Sequence, residues 1–438
     1  MIDSFDSGPE FRWNPYADQP HNVASREERF RRHFRYGGGY LRLLWANWLK
    51  AGPALSRYFR FRRELHARPV PFSAPLGVAV SPESGRWARL LSAFREAGIR
   101  RTLVRIPSWN RDRLDYYREF AARLHAEGLD VVLSLLQCRE DVVRPAKWRE
   151  FLHLVFKNFS GRCRYFEIGH AWNRTKWGVW DHREYTQLAG EAAAAAADFD
   201  IRMVGPAVID FEFHLYPPVI KRVDFDKISS LLYVDRVGAP ENRQFGWNAV
   251  QKIVLLKAVA DACSPNPTGI WITEFNWPLK GTGKYSPAAG KPNVSEETQA
   301  DYMVRYMIPA LCTGFVERMY WWQLAAPGYG LIDPRGGGWR KRPAFYALKT
   351  LMDILPGAVF QKKTVAGRVH LYRFQKDSRE LVAAWSESSP ARVEFSGKPQ
   401  RILSRDGENI QRPGVGIELS GSPKYLFFDH PAMVKGLK

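Results

Sequence analysis

The sequence predicts an α/β protein built on a (β/α)₈ TIM barrel, with a basic helical extension before it and a small all-β sandwich after it. Eight short apolar runs recur between residues 75 and 323, and amphipathic helical patterns separate most of them. After Pro356 the helical pattern stops, and alternation of apolar and polar residues replaces it. Eight strand–helix units within roughly 280 residues match the closed barrel, which typically needs about 250.

Residues 1–70 form the basic extension. Between residues 29 and 68 there are eleven Lys or Arg and one acid, Glu64, so half of the net charge of +20 lies in this stretch. It also contains an apolar helical face, which comprises Leu41, Leu44, Trp45, Trp48 and Leu49. Two interpretations stay open. The helix binds the boundary of an anionic membrane through residues 29–68, or it packs on the main domain and leaves its basic face in water. Nucleic acid is not an expected partner, because no recognition motif accompanies the charge.

Residues 74–356 are predicted to form the barrel. An open doubly wound sheet is the alternative, but such a sheet more often has a Gly-rich phosphate turn after its first strand, and residues 75–85 have none. The stretch RPAFYALKTLMDIL (342–355) predicts a closing helix. The eight strand-like runs are PLGVAV (75–80), RTLVRI (101–106), DVVLSLL (130–136), RYFEIG (164–169), RMVGPAV (202–208), KISSLLYV (227–234), GIWITEF (269–275) and ERMYWWQ (317–323).

Residues 358–430 are predicted to form the sandwich. Their strand-like segments alternate apolar and polar residues between clusters of turn residues, as half-buried strands do. The segments are RVHLYRF (368–374), ELVAAWS (380–386), ARVEFSG (391–397) and PKYLFF (423–428).

The composition favours a folded protein that contacts flat ligands. Aromatic residues make up 14% of the chain, with 16 Trp, which fits stacking on sugar rings as well as filling of a large core. The four cysteines have no paired spacing, so we expect no disulfide framework, no metal site and no cofactor. The N-terminus lacks a secretory pattern, and no apolar run reaches about 18 residues. We therefore expect a cytoplasmic protein, peripheral on the inner face of the membrane if the extension binds lipid.

Polar residues follow the predicted strands where chemistry in a barrel is placed, at the C-terminal ends. A polar ring above an apolar core has little structural purpose, so we expect a functional site there. The residues are Arg105, His170, Asn173, Tyr233, Asp235, Glu274, Asn276, Trp322 and Gln323.

These segments resemble those of the clan A glycoside hydrolases. The resemblance covers about residues 74–430 and rests on the order and spacing of several motifs together. WITEFNWP (271–278) is similar to the seventh-strand nucleophile segment, YFEIGHAWNRTKWG (165–178) to the fourth-strand segment, SLLYVD (230–235) to the sixth-strand segment with its tyrosine, LVRIP (103–107) to the second-strand arginine segment, and GLIDPRGGGWRKRPAFYAL (330–348) to the stretch that closes such barrels.

The resemblance implies that Glu274 is the nucleophile and that Arg105 and Tyr233 hold it ionised and oriented. A retaining glycosidase also needs a second carboxyl group about 5–5.5 Å away. At that position on the fourth strand the sequence has Ala171, preceded by His170 where the family has asparagine. Glu167 cannot replace the missing acid, because it lies about 13 Å further down the strand.

Three side chains are candidates for the missing acid. Asp210 and Glu212 follow the fifth strand and are placed to reach across the mouth of the barrel. His170 is the third, since an imidazole with a pKa of about 6.5 can act as a general acid near neutral pH. Its alternative role is as a hydrogen-bond partner of a sugar hydroxyl or of Glu274. Trp322 is predicted to form a stacking floor for a sugar ring. Side chains that either line further subsites or simply pack are Trp109, Trp172, Trp177 and Trp247.

Two functions follow from these features. The first is a glycosidase-like enzyme that acts on an envelope glycan or a lipid-linked saccharide, acidic or phosphorylated because a basic surface concentrates anions. The second is a catalytically inactive carbohydrate-binding or scaffolding protein in polysaccharide or lipopolysaccharide assembly. Ala171 favours the second function, and the survival of Glu274 favours the first.

Overall fold

The computed structural model describes residues 11–21, 27, 30, 37–73, 75–82, 86–235, 238–264, 269–286, 293–411 and 414–437. The arginines at positions 29, 31, 32 and 35 of the basic extension lie outside the described residues. The predicted fold class is confirmed, since a closed parallel barrel is followed by antiparallel sheets.

The first described elements are a small hairpin and a long helix. β1 (Trp13–Asn14) pairs antiparallel with β2 (Gln19–Pro20). Helix α1 (Gly37–Glu64) has 28 residues and is therefore about 42 Å long. A short strand, β3 (Val70–Pro71), leads into the barrel.

Eight parallel strands close the barrel, because the last of them pairs with the first. The strands are β4 (Leu76–Val80), β5 (Arg101–Pro107), β6 (Asp130–Leu136), β7 (Tyr165–Ile168), β8 (Arg202–Ile209), β9 (Lys227–Leu231), β10 (Ile270–Phe275) and β11 (Val316–Trp321). The helices around them are α2 (Trp87–Glu96), α3 (Leu114–Ala126), α4 (Arg139–Val143), α5 (Pro145–Phe159), α6 (His182–Ala196), α7 (Tyr216–Ile220), α8 (Ala249–Cys263) and α9 (Glu296–Leu311). Two of the predicted strands end earlier than expected, at Leu231 and Trp321, and the chain beyond them carries Tyr233 and Trp322 to the barrel mouth.

The C-terminal part consists of two antiparallel sheets that share an apolar core. A short pair, β12 (Ile332–Asp333) and β13 (Arg340–Lys341), and the predicted closing helix α10 (Pro343–Ile354) precede it. β3 joins the larger sheet through β14, which ties the extension to this part of the chain. The strands are β14 (Val359–Ala366), β15 (Val369–Lys376), β16 (Arg379–Ser386), β17 (Ala391–Phe395), β18 (Arg401–Ser404), β19 (Gly416–Leu419), β20 (Lys424–Phe428) and β21 (Val434–Leu437).

Helix α1 packs on the barrel, but not through the apolar face that the sequence predicts. Tyr58 lies against Trp247, with 4.8 Å between ring centroids, and Phe61 lies against Phe315 at 5.1 Å. The predicted apolar face points outward instead, and Trp48 is 77% exposed. Its other members, Leu41, Leu44, Trp45 and Leu49, are exposed as well.

Cys138, Cys163, Cys263 and Cys312 are buried and form no disulfide bonds. Within the described ranges no helix has the length and apolarity needed to cross a bilayer.

Candidate active site

A cavity of about 130 Å³ lies at the C-terminal mouth of the barrel. Its wall brings together side chains from β5, the segment after β7, the segments after β8 and β9, β10 and the segment after β11, as well as the N-terminal hairpin. The lining residues that concern the chemistry are Asp18, Arg105, His170, Ala171, Arg174, Lys176, Asp210, Tyr233, Glu274, Asn276 and Trp322.

Glu274 is held by two donors. Arg105 Nη2 donates to its Oε2, and the Tyr233 hydroxyl donates to its Oε1. Burial raises the pKa of Glu274 above its ordinary value, while the Arg105 charge and the Tyr233 hydrogen bond act in the opposite direction. The pKa of Tyr233 is raised well above 10 by burial and by the neighbouring Glu274, so the phenol keeps its proton and remains a donor. Both oxygens of the side chain are therefore held by donors, which fixes the orientation of the carboxyl group.

The turn after β7 places His170 beside Glu274. Gly169 begins this turn with φ +75°, and a Cβ there would come within 2.8 Å of the Tyr185 ring, so glycine is needed on both grounds. His170 Nε2 lies 2.9 Å from Arg105 Nη2 and 3.5 Å from Glu274 Oε2. Since a guanidinium can only donate, His170 Nε2 accepts, and the ring proton is on Nδ1.

The environment of His170 favours its neutral form. Burial lowers the pKa of this imidazole well below 6.5, and the charges of Arg105 and Lys176 lower it further. Nε2 is the ring nitrogen that faces Glu274, and in a neutral imidazole that accepts from arginine this nitrogen carries no proton to donate. This geometry supports the hydrogen-bonding role weighed from the sequence rather than the role of general acid.

Asp210 and Glu212 follow β8, and both are paired with Arg174. Arg174 Nη2 donates to Asp210 at 2.6 Å, and its Nη1 donates to Glu212. Asp210 lines the cavity, whereas Glu212 is not among the lining residues. Both carboxylates are therefore engaged by the guanidinium of Arg174.

Two other predicted site residues have structural contacts. The side-chain amide of Asn173 donates to the Ile209 carbonyl at 2.9 Å and accepts from its N–H at 3.0 Å, which fastens the β7 turn to the end of β8. The carboxylate of Asp235 accepts from the Gly238 N–H at 2.5 Å. Neither lines the cavity.

Comparison with known proteins shows which solved structures this barrel resembles. No model of a known protein family matches the sequence, and no curated protein matches it. Among solved structures, a family 39 glycoside hydrolase from the gut symbiont Bacteroides cellulosilyticus superposes with a TM-score of 0.64 at 15% identity, covering 81% of each chain. A family 30 subfamily 8 xylanase from Clostridium acetobutylicum gives a TM-score of 0.59 at 12% identity, over 83% of this chain and 98% of the other. A GH51 arabinofuranosidase from Xanthomonas axonopodis gives 0.53 at 13%, over 80% and 93%.

The chain has the fold of the clan A glycoside hydrolases. At sequence identities this low, the superpositions establish the architecture alone. The chemistry has to be argued from the side chains of the site.

Within this glycoside hydrolase fold the tryptophans fall into two groups. Trp322 lines the cavity, but the Arg105 guanidinium carbon lies 3.3 Å from its ring centroid, which covers one face. Trp177 also lines the cavity and packs on His170 at 4.6 Å. Trp172 stacks on Tyr185 at 4.6 Å and donates to the Pro206 carbonyl, which is core packing. Trp247, as noted above, packs on helix α1.

The sequence interpretation missed the N-terminal hairpin. Residues 11–21 place Ala17, Asp18 and Gln19 in the cavity wall of this hydrolase-like barrel. Asp18 accepts from Gln323 Nε2 at 3.0 Å and lies 3.5 Å from Arg105 Nη1. The dipeptide Asn14-Pro15 between aromatic residues is a turn signal that indicates a hairpin, but not where it packs.

One buried acceptor at the site has no hydrogen-bond partner within the described ranges. Asn276 is 3% exposed and lines the cavity, and its Oδ1 has no hydrogen-bond partner among the described residues. A buried acceptor left unpaired is costly, so a ligand hydroxyl is an expected partner. In the described part of the chain no group of three or more His, Cys, Asp or Glu is arranged to hold a metal ion.

Proposed function

We propose that this chain is a glycosidase-like protein that uses Glu274 as a nucleophile on saccharides whose leaving group departs without protonation. The observation that carries the proposal is the pairing of Glu274 with Arg105 and Tyr233 in a cavity whose wall also contains Ala171, a side chain with no proton to donate. A nucleophile with its supporting residues can still attack an anomeric carbon. Without a general acid, the attack is efficient only when the leaving group is itself a stable anion.

A glycosyl phosphate meets this condition. Its leaving group is a phosphate or diphosphate, which is stable as an anion at neutral pH, and a lipid-linked saccharide carries its sugar in this linkage. Among the described residues that line the cavity, three cations face three carboxylates, so the cavity itself does not select anions. The cations are Arg105, Arg174 and Lys176, and the carboxylates are Asp18, Asp210 and Glu274. The attraction for an acidic substrate would come from the net charge of +20 over the whole chain.

The first prediction concerns the dependence of rate on the leaving group. Wild-type protein is expected to cleave glycosyl 1-phosphates and dinitrophenyl glycosides. It should cleave the matched methyl glycosides roughly 10²–10⁴-fold less well than an ordinary retaining enzyme does, because their leaving group needs a proton. The measurement is kcat/KM across aryl glycosides of increasing leaving-group pKa, with azide as an added nucleophile. A rate independent of the leaving group would contradict the proposal, because it would require a working general acid.

A second candidate function is sugar binding without turnover. It is favoured by the same wall, in which Ala171 has no titratable group and His170 accepts a hydrogen bond from Arg105. Calorimetric binding of saccharides by a protein that hydrolyses none of the activated substrates would select this candidate. It would then be a carbohydrate-binding or scaffolding component of polysaccharide or lipopolysaccharide assembly.

We also propose that helix α1 binds an anionic membrane surface. Its outward apolar face comprises Leu41, Leu44, Trp45, Trp48 and Leu49, and the same helix carries six basic residues, Arg42, Lys50, Arg57, Arg60, Arg62 and Arg63. Exposed tryptophan beside arginine suits the headgroup boundary of a bilayer. Such a location would bring the cavity to a lipid-linked substrate.

The second prediction tests this surface. Wild-type protein is expected to sediment with vesicles containing phosphatidylglycerol and not with phosphatidylcholine vesicles, and to be released by salt. A variant with Trp45→Ala and Trp48→Ala should bind at least about tenfold more weakly, since two large apolar side chains no longer enter the bilayer. Tyr346→Ala, which removes an exposed aromatic ring from the distant helix α10, is the matched control. Equal sedimentation of all three proteins would exclude membrane binding by this face.

A further inference from the structure

The position of Tyr233 is not set by the pairing of the barrel strands. The pairing of β9 with its two neighbours ends at Leu231, and the phenol that donates to Glu274 lies two residues further along the chain. Beyond the paired strand, the backbone has to be fixed by contacts from other elements. The orientation of Glu274 therefore depends on the groups that hold the segment around Tyr233.

Two buried side chains hold the backbone on either side of Tyr233. The Tyr306 hydroxyl, from helix α9, donates to the Leu232 carbonyl at 2.7 Å. Lys252, from helix α8, donates through Nζ to the Val234 carbonyl at 2.5 Å. Tyr306 is 1% exposed and Lys252 is 0% exposed, so both bonds are shielded from solvent. The two donors thus fix the peptide units that flank the phenol.

Lys252 is itself anchored at a second point. Its Nζ also donates to Gln244 Oε1 at 2.7 Å. Gln244 lies in a tight turn that is closed by two backbone hydrogen bonds with Trp247, each 3.0 Å long. Trp247 in turn packs on Tyr58 of helix α1. The ammonium group therefore connects the Val234 carbonyl to a turn that is held in place on its other side.

The burial of Lys252 is costly, which points to a role that packing alone would not require. Burial lowers the pKa of Lys252 to about 8, while the charges of Asp235 and Asp210 act in the opposite direction. The side chain therefore stays largely protonated at neutral pH, and a charged donor makes stronger hydrogen bonds than a neutral one. Both hydrogen-bond acceptors found for it in the described ranges are neutral oxygens. An apolar side chain would fill the same space without the cost of burying a charge.

We propose that Lys252 is a positioning residue for the reaction at Glu274, because it fixes the Val234 carbonyl and thereby holds the Tyr233 hydroxyl that donates to the nucleophile. The inference rests on the proposed function, since it assigns the residue that keeps the donor of that nucleophile in place. Lys252 is not among the residues that line the cavity. It therefore acts through Tyr233 and not on a substrate.

The third prediction concerns the acidic limb of the kcat/KM profile, which reports the pKa of Glu274. The Tyr233 hydrogen bond lowers this pKa, so displacement of the phenol should move the limb to higher pH. Lys252→Met keeps the length of the side chain and should raise the limb by about 1 pH unit or more, the value of one hydrogen bond to a charged group. It should also lower kcat on dinitrophenyl glycosides roughly 10–100-fold with KM changed far less, because the nucleophile is misplaced. The profile is measured below about pH 7, where Lys252 of the wild-type protein is protonated.

A double-mutant cycle separates Lys252 from the other groups that act on Glu274. If Lys252 acts through Tyr233, Lys252→Met should add little to Tyr233→Phe, in which the donating hydroxyl is already absent. A shift of equal size in both backgrounds would be a through-space effect of the lost charge and would overturn the inference. The other charged or titratable groups that face Glu274 stay unchanged in all four proteins, and they are Asp18, Arg105, His170 and Lys176.

Two further variants separate positioning from folding. Gln244→Met removes the other acceptor of Lys252 and leaves the bond to Val234, so its acidic limb should coincide with that of wild-type protein. Lys252→Gln keeps a shorter donor and should lie between wild type and Lys252→Met, and it carries the test if thermal unfolding shows that the methionine variant is not folded. A limb that moves as far in Gln244→Met as in the Lys252 variants would contradict a specific role of the bond to Val234.

Direct titration distinguishes failure of this inference from failure of the proposed function. If no protein turned over any activated glycoside, the proposed function would fail. Carbon-13 NMR titration of the Glu274 carboxyl, identified by its loss in Glu274→Gln, would then test the inference without turnover. A pKa that Lys252→Met raises in the wild-type background and not in Tyr233→Phe would uphold the role of Lys252. A pKa of Glu274 that Lys252→Met leaves unchanged would overturn it.

Discussion

Glu274→Gln is expected to reduce hydrolysis of an activated aryl glycoside by roughly 10⁴-fold or more, which corresponds to at least about 5.5 kcal/mol of transition-state stabilisation. Glutamine keeps the size of the side chain, and its single oxygen can still accept from either Arg105 or Tyr233, but an amide cannot form the covalent glycosyl intermediate. The measurement is the initial rate on dinitrophenyl glycosides beside wild-type protein. Glu418→Gln, a change at a largely exposed carboxylate of the C-terminal sheets, is the control and should leave the rate unchanged.

The pH profile gives an independent check on the same residue. Attack needs the ionised carboxylate, so kcat/KM should fall as the pH decreases through the pKa of Glu274. Burial raises the pKa of Glu274, which places this limb above the ordinary carboxyl value of about 4.3. No limb from His170 is expected near pH 6.5, because burial and Arg105 lower the pKa of its imidazole well below that value. Undiminished activity in Glu274→Gln, or a kcat/KM that stays constant as the pH decreases to about 4.3, would remove Glu274 from the proposed role.

The barrel could be predicted from the sequence because its strands are buried on both faces. Each therefore appears as a continuous apolar run, and the observed bounds differ from the predicted ones by a few residues at most. The outer strands of the C-terminal part were harder to recognise. β14 carries Lys362 and Lys363 on a partly exposed edge, so it lacks a clear apolar alternation.

A site residue could be predicted from the sequence only where the end of a single strand fixes the position of that residue. Glu274, Arg105 and Tyr233 belong to separate strand ends, and the closed barrel brings them together. Partners outside this framework could not be foreseen. The pairing of Asp210 and Glu212 with Arg174 depends on the course of two loops, and the insertion of Asp18 depends on a hairpin more than 80 residues before Arg105 in the chain. Sequence periodicity carries no information on such contacts.

Ala171→Glu is expected to restore general acid catalysis. Ala171 is buried in the cavity wall that also contains Glu274, and in the resemblance to clan A glycoside hydrolases it stands at the acid/base position. A protonated carboxyl group there can donate to the leaving oxygen, so hydrolysis of methyl glycosides should rise by about 10²–10⁴-fold. Hydrolysis of dinitrophenyl glycosides should change much less at the first step, because that leaving group needs no proton. The measurement is the ratio of the two rates in wild-type and variant protein.

The surroundings of this position make the experiment demanding, and a matched variant accounts for that. Ala171 already adopts the left-handed φ of +41°, and it is 1% exposed, so a larger side chain must displace its neighbours at a cost of about 1–3 kcal/mol, and the variant is expected to unfold at a lower temperature. Ala171→Gln carries the same strain and size without a titratable proton, and it should show the loss of stability without the gain in rate. If both variants stayed inactive on methyl glycosides while folding normally, position 171 would not face the glycosidic oxygen. The leaving-group argument would then rest on Glu274 alone, and sugar binding without turnover would become the better account of the cavity.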